Sequence, residues 1–307
     1  MNRIAVLMST YNGEKYLREQ LDSLLNQKGV ISDIFVRDDG SCDGTKNILC
    51  EYEEKHSNIH LSFGKNIGVG NSFMNLLYSI PDDYDYYAFS DQDDIWEDVK
   101  LTEGIKVLEK SGRQLYASNM ECVDKDGTSL GIRFTDDTKI CISPINILGF
   151  NMLAGCTLIM TNKFYKFLSK IENRPSTELL NIRIHDVWCV MVAAIYDEII
   201  YDEKSFIKYR QHNNNASGGV KVSRLKVFKT RVKKIFNKKL RNCRSRLAKE
   251  ICLKFPDRAK DYPELKICAD SNKFHSKKWI IKNNKLFTEN TNESSAFFIL
   301  KVLLNLI

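Results

Sequence analysis

The sequence predicts an α/β protein: a mostly parallel sheet with helices on both faces, followed by a helical appendage. Three observations predict it. Over the first 120 residues, short apolar runs of strand length alternate with segments of helical spacing, the order that crossover connections between parallel strands produce. Polar clusters rich in Asp, Asn and Gly recur just after those runs, where the carboxyl ends of such strands hold ligands. Beyond residue 220 the alternation stops and Lys and Arg dominate.

The elements follow in order. Residues 4–9, opening Ile4-Ala5-Val6-Leu7-Met8, form the first strand. Residues 14–27 form a helix, because Tyr16, Leu17, Leu21, Leu24 and Leu25 fall on one face. Residues 34–37 are a second strand ending at Asp38-Asp39-Gly40, and 45–55 a second helix. A third strand (60–63) and helix (71–79) precede the fourth strand, 86–90, which is rich in aromatic residues. A helix over 99–110 and a strand over 114–118 complete the alternation. Further on, 123–128 reads as a hairpin turn, 152–161 as an apolar run around Gly155-Cys156, and 185–196 as a helix. Residues 199–201 and 206–210 are strands, followed by a polar loop from Gln211 to Gly219.

Composition narrows the class. The chain has 307 residues, 43% hydrophobic and 28% charged, which suits a large domain with an appendage. The domain boundary is expected at 220, giving domains 1–220 and 221–307. Between Lys221 and Lys249 stand thirteen Lys or Arg and no Asp or Glu; removing them from the net charge of +7 leaves −6 for the rest. There Leu225, Phe228, Val232, Ile235 and Leu240 recur at helical spacing, a cationic amphipathic pattern suited to an anionic membrane surface or to a solvated face. The acidic body argues against a nucleic-acid partner. Nine irregularly spaced cysteines without C-x-x-C read as reduced thiols of a cytoplasmic protein. The opening apolar run is too short for a signal peptide, and no run has transmembrane length. Residues 296–307 are apolar enough for a core helix, a membrane contact or a partner surface.

The chemistry concentrates in Ser90-Asp91-Gln92-Asp93-Asp94-Ile95-Trp96. Asp91 and Asp93 fall on the same side of an extended backbone. Crowded like charges are costly unless a cation sits between them. Mg²⁺ or Mn²⁺ takes such oxygens together with substrate phosphates. The alternative is a solvated acidic turn opening a helix. Tyr11 either stacks on a base or packs in the core. Asp38 and Asp39 either accept hydrogen bonds from a base or ribose or shape a turn. Asp186, in Arg183-Ile184-His185-Asp186-Val187-Trp188, is either a general base or a helix N-terminal charge. His212 and Arg210 offer a metal ligand and a phosphate contact, or belong to a solvated loop. A P-loop and a full G-x-G-x-x-G after the first strand are missing.

Four motifs occur in one order: Ser9-Thr10-Tyr11-Asn12-Gly13, Arg37-Asp38-Asp39-Gly40-Ser41-x-Asp43-Gly44-Thr45, Lys65-Asn66-x-Gly68 and Ser90-Asp91-Gln92-Asp93-Asp94-Ile95-Trp96. Together they resemble the inverting glycosyltransferases of family 2, which have the Rossmann-like GT-A fold. The acidic motif, His185-Asp186-x-Trp188 and Tyr209-Arg210-Gln211-His212 resemble the rhamnosyltransferase-like subgroup that builds bacterial surface polysaccharides. The resemblance covers roughly residues 1–220 and implies these roles. Thr10, Tyr11, Asn12, Asp38, Asp39, Asn66, Asp91 and Gln92 hold the nucleotide. Asp93 and His212 hold Mg²⁺ or Mn²⁺. Arg210, Asp94, Trp96 and His185 serve the diphosphate or acceptor, and Asp186 is the base. The implied partners are a dTDP- or UDP-linked sugar and a glycan acceptor on a lipid carrier, met at the inner face of the cell membrane. The Q-x-x-R-W motif of processive synthases is absent, which favours single addition. The rival readings are a UDP-hexose transferase, a catalytically inactive sugar-nucleotide-binding or scaffold protein, and a nucleotidyltransferase, which would carry a Gly- and Arg-rich loop after the first strand.

Overall fold

The computed structural model describes residues 1–212, 242–288, 291 and 293–307. The chain forms two compact units. The first takes residues 1–139, 153–174 and 198–218; the second takes 140–152, 175–197 and 219–307.

The first unit is built on one nine-stranded sheet of order β3-β2-β1-β4-β8-β6-β9-β5, with β7 added beside β6. The strands are β1 (Arg3–Thr10), β2 (Ile31–Asp38), β3 (Ile59–Phe63), β4 (Tyr86–Ser90), β5 (Ile95–Trp96), β6 (Leu115–Val123), β7 (Ser129–Ile132), β8 (Ile159–Thr161) and β9 (Ile199–Arg210). β1 is parallel to β2 and β4, β2 to β3, and β6 to β9. β8 is antiparallel to both β4 and β6, so β6 and β9 run with the first four. Only β5, β7 and β8 are reversed. The sheet is therefore mostly parallel, as expected.

Both faces of the sheet are covered, which is why β1 is one continuous apolar run. Ile4, Val6 and Met8 pack with Leu17, Leu21 and Leu24 of α1 (Leu17–Leu25), Ile48 and Leu49 of α2 (Thr45–Lys55), and Leu101, Ile105 and Leu108 of α4 (Lys100–Ser111). The alternate residues meet α3 (Val69–Ser79): Ser9 Oγ donates to Ser72 Oγ at 2.6 Å, and Phe89 packs edge-on against Phe73.

Two departures from the expected elements matter for the site. β9 is one strand where two were expected. Ser118 faces Asp202 but Asn119 faces Ser205, so the polar residues between bulge out without breaking the ladder. β5, two residues long, was not anticipated, because Ile95-Trp96 is too short to carry a period.

After α6 (Asn162–Ser169) of the first unit, α7 (Thr177–Leu180) and α8 (His185–Ile195) belong to the second unit, with α5 (Pro144–Gly149) and the described C-terminal helices. Every residue of α8 is buried, as its nearly all-round apolar sequence requires. The last carbonyls of α5 are met by guanidinium groups. Arg244 Nε donates to Leu148 O at 3.1 Å and its Nη2 to Gly149 O at 3.1 Å, while Arg183 donates to Leu148 O at 2.8 Å. In the apolar C-terminal run, the helix Ser295–Leu303 buries Phe298 and Val302 and exposes Leu300 and Leu303. The amphipathic pattern from Leu225 to Leu240 and the polar loop beyond His212 lie outside the described residues. Among the described residues, no helix is long and apolar enough to cross a membrane.

Candidate active site

β1 ends at Thr10, and the chain turns through Tyr11, Asn12 and Gly13 towards α1. Asn12 adopts a left-handed φ of 49°, a region Asn tolerates. Its N–H donates to Ser41 Oγ at 2.9 Å, and its Oδ1 accepts the Cys42 N–H at 2.9 Å. Asn12 thus stitches the first loop to the second. Gln92 clamps Tyr11 through both amide atoms: Oε1 accepts the Tyr11 N–H at 2.9 Å and Nε2 donates to Tyr11 O at 3.1 Å. Gly13 permits this approach, since a Cβ there would lie 2.3 Å from Gln92 Oε1. The Tyr11 ring stays 47% exposed, available for stacking.

Asp38 and Asp39 are buried at the end of β2. Asp38 Oδ1 accepts N–H groups of Gly40 (3.2 Å) and Ser41 (2.9 Å), and Oδ2 accepts the hydroxyls of Thr10 (3.1 Å) and Ser41. Asp39 Oδ1 accepts from Arg37 Nη1 (2.6 Å) and the Ile67 N–H (2.9 Å), and Oδ2 from the Gly68 N–H (2.9 Å). Buried carboxylates are tolerated when every oxygen is bonded in this way. Thr10, Asp38 and Asp39 therefore frame the loops at the rim, and Asn66 is exposed on it. Gly40, at φ 85°, is needed there: a Cβ would sit 3.1 Å from Asn66 N.

The acidic motif is aimed by β5. Ile95 pairs with Lys208 of β9, which sets Asp93 beside His212 across 119 residues, Oδ2 and Nε2 2.7 Å apart. Their side chains are 17% and 16% exposed. Asp94 is fully buried, and its Oδ1 accepts the Arg210 N–H at 3.1 Å. Arg210, expected at the diphosphate, is a buried strut. Its Nε donates to Asp93 O at 3.0 Å, Nη1 to Lys125 O at 3.2 Å and Nη2 to Glu19, and its Cζ lies 4.6 Å from the Tyr16 ring centroid.

Below this turn lies a mostly buried cluster. Ligand atoms of Asp91, Asp94 and Cys156 fall within 4.8 Å of one another. Lys100 Nζ lies 3.6 Å from the centroid of the Trp96 ring, and both residues are buried. Trp96, expected at the diphosphate or acceptor, is thus a core residue. Burial, then the Asp93 and Asp91 charges, push the Asp94 carboxyl well up, and burial does the same to the Cys156 thiol. Stripping water from an ammonium costs several kcal/mol, and a desolvated Trp face returns only about 2 kcal/mol. Burial accordingly brings the Lys100 pKa down to about 7.

A divalent ion needs deprotonated donors that leave positions for substrate oxygens. Asp94 and Cys156 are buried and absent from the cavity lining, and burial favours their neutral forms, so the buried group fits poorly. Asp93 and His212 fit: an oxygen and a nitrogen donor side by side, both lining a cavity of about 640 Å³.

That cavity is lined by Tyr11, Asn12, Gly13, Lys15, Tyr16, Gln92, Asp93, Lys125 and His212. Five of the nine were expected from sequence. Gly13, Lys15, Tyr16 and Lys125 were not assigned to it. Tyr16 was placed on the apolar face of the first helix and Lys125 in a hairpin turn. The available signal was that Lys15-Tyr16 directly follows the Tyr11-Asn12-Gly13 turn, before α1 begins at Leu17.

Asp186 and His185 open α8 in the second unit. Asp186 is 9% exposed, and its Oδ1 accepts the Val187 N–H at 2.6 Å. His185 is 2% exposed, and burial lowers its pKa to about 3, so it brings no positive charge to a phosphate at neutral pH. Its unfolded-state value is about 6.5. Between these values the unfolded chain binds the extra proton, so stability is fully present above about pH 6.5 and is lost towards pH 3. We expect the urea midpoint to fall with pH across this window, by the equivalent of a few kcal/mol in all, and the fall to be shallower in His185→Leu. An equal slope in both proteins would remove His185 as the cause.

Residues 5–166 match the family model described as Glycosyl transferase family 2. The chain is 34% identical to the dTDP-rhamnosyl transferase RfbG of Shigella flexneri over 222 residues, which cover 69% of this chain and 73% of that protein. Uncharacterized glycosyltransferases of Rickettsia felis and Rickettsia bellii are both 28% identical, but the chain spans only 35% and 30% of their lengths. Among solved structures, S. aureus TarS 1–349 in complex with UDP-GlcNAc superposes with a TM-score of 0.55 at 18% identity, covering 99% of this chain and 88% of that one. The mannosyltransferase PcManGT of Pyrobaculum calidifontis, in complex with GDP-Man and Mn²⁺, gives 0.51 at 13% identity, covering 99% and 80%. At these identities the structural likeness shows the fold alone.

Proposed function

Since the chain belongs to glycosyl transferase family 2 and is a glycosyltransferase, we propose that it moves a sugar, rhamnose in the first instance, from a dTDP- or UDP-linked donor to a hydroxyl of a lipid-linked bacterial surface glycan, with inversion. The observation that carries this reading is the cavity at the carboxyl rim of the sheet, where the exposed Tyr11 ring and the Asp93–His212 pair share one wall. The likeness to a dTDP-rhamnosyl transferase supports the donor.

In this reading Tyr11 stacks on the base, with Asn12, Asn66 and Asp91 around base and ribose. Gln92, Thr10, Asp38 and Asp39 keep those loops in shape through the bonds described above. Asp93 and His212 hold Mg²⁺ or Mn²⁺, which when bound neutralises charge on the departing diphosphate. Asp186 accepts the proton of the attacking hydroxyl, and the carbon–oxygen bond to the acceptor forms as the bond to the diphosphate breaks. Holding donor and acceptor in line supplies much of the rate. The transfer chemistry is assigned to residues 1–220. The basic stretch from Lys221 to Lys249 supplies peripheral attachment to the anionic inner face of the cell membrane, about 1 kcal/mol per cation near the surface.

The test is thermal stabilisation of the purified protein by dTDP, UDP and GDP, each with and without Mn²⁺. A ligand at a hundred times its dissociation constant stabilises by about 2.7 kcal/mol, a readily measured shift. Metal-dependent stabilisation by dTDP or UDP, and little by GDP, is expected. Equal stabilisation by all three, or none that responds to metal, would count against the donor and metal assignments.

A further inference from the structure

Tyr16 is one of the cavity residues that the transferase reading leaves without a task. It stands at the N-cap position of α1, half-buried, and lines the cavity. Its ring stacks on the His212 imidazole, centroids 5.3 Å apart and planes inclined by 30°. The same ring has the Arg210 guanidinium carbon at 4.6 Å and the Lys15 ammonium at 4.7 Å from its centroid. Arg210 in turn holds the Asp93 carbonyl at 3.0 Å, and the Asp93 carboxylate meets His212 at 2.7 Å. One aromatic ring therefore touches Arg210, the last residue of β9, and His212, which lines the cavity.

We propose that Tyr16 is a positioning residue, whose ring fixes the His212 imidazole beside Asp93 so that the two present their nitrogen and oxygen together. His212 lies beyond the end of β9, so the sheet ladder does not orient its ring. The hydrogen bond to Asp93 and the stack on Tyr16 act on it directly. A hydrogen bond alone leaves an imidazole free to turn about the bond axis, and a flat neighbour removes that freedom. Aromatic stacking contributes about 0.5–1.5 kcal/mol beyond the area it buries. Cations on the ring add to this and also hold the ring itself. These contacts are all made by the ring and none by the phenol hydroxyl, so the ring and not the oxygen is required.

This inference rests on the metal reading of the same pair, and its test separates the two. The first readout needs no metal. The His212 ring-proton resonance, assigned by its loss in His212→Ala, is expected to be shifted by the Tyr16 ring current. It should move towards the free-histidine position in Tyr16→Leu and stay in place in Tyr16→Phe. The second readout is Mn²⁺ affinity in the presence of dTDP, followed by electron paramagnetic resonance. Tyr16→Leu should weaken it roughly tenfold, the usual cost of losing a partner that orients a ligand, and Tyr16→Phe should match the parent protein. In a His212→Ala background, Tyr16→Leu should cost nothing more. An unmoved His212 resonance in Tyr16→Leu, an equal loss in Tyr16→Phe, or a full additional loss in the double variant would each overturn the proposal. A resonance that responds as expected in a protein that binds no Mn²⁺ would support the positioning role and sink the metal assignment instead.

Discussion

Asp186→Asn is expected to lower the rate of sugar transfer about 10²–10⁴-fold, the range for removing a general base, while donor affinity stays near that of the parent protein. Asn keeps the shape of Asp and retains an oxygen to accept the Val187 N–H that Asp186 now holds at 2.6 Å. What it loses is the capacity to take a proton. The carboxylate sits in the first turn of α8, where a negative charge contributes about 0.3–1 kcal/mol, so the variant should remain folded. Single-turnover transfer from a saturating dTDP-sugar, together with calorimetric dTDP binding, measures the two effects separately. Near-normal transfer would show that Asp186 serves only as a negative charge in the first turn of its helix. A parallel loss of binding and transfer would point to a structural role.

Asp93→Ala is expected to have the second large effect, and a different one. It removes the carboxylate of the Asp93–His212 pair and leaves His212 without that partner. Metal affinity and metal-dependent donor affinity should fall together, with a further loss in rate because several kcal/mol of charge stabilisation on the leaving diphosphate disappears. The backbone of Asp93 keeps its bond from Arg210 Nε, so the strut survives the substitution. Mn²⁺ titration monitored by dTDP binding reads the effect directly. If the variant binds dTDP with unchanged affinity and unchanged Mn²⁺ dependence, the metal lies elsewhere. Asp94→Asn is the instructive contrast, since Asp94 is sealed below the turn and bonded to the Arg210 N–H. Its loss should disturb the turn without removing a metal donor.

The two variants concern residues that differ in how far the chain by itself reveals them. Asp93 lies in a motif whose crowding of carboxylates is visible in any reading of the sequence. Asp186 is a single acidic residue at a helix start, where local pattern alone leaves a cap and a base equally open. Much the same holds across the site. Tyr11, Asn12, Gln92, Asp93 and His212 line one cavity, and all five were legible. Their tasks were only partly so. Gln92 turns out to clamp the Tyr11 backbone, Arg210 to be a strut, and Trp96 to be a core residue against Lys100. Residue type told which groups carry polar chemistry, but not whether a given donor faces the cavity or another loop.

By itself, the sequence determined the alternation of strands and helices, the parallel sense that follows from it, and the rim on which the polar motifs gather. These are set by periods of two and 3.6 residues and by the crossover rule, which act between near neighbours in the chain. Only the tertiary structure decided that Ile95-Trp96 forms a strand on β9, that Asp93 meets His212 across 119 residues, and that Tyr16 belongs to the cavity wall. A two-residue strand has no period to read, and a ring that leaves the core face at a helix start has the same sequence spacing as one that stays. Such contacts depend on where the bulge in β9 sets its register and on which side chains then fill the space, and that information is distributed over the whole packed sheet.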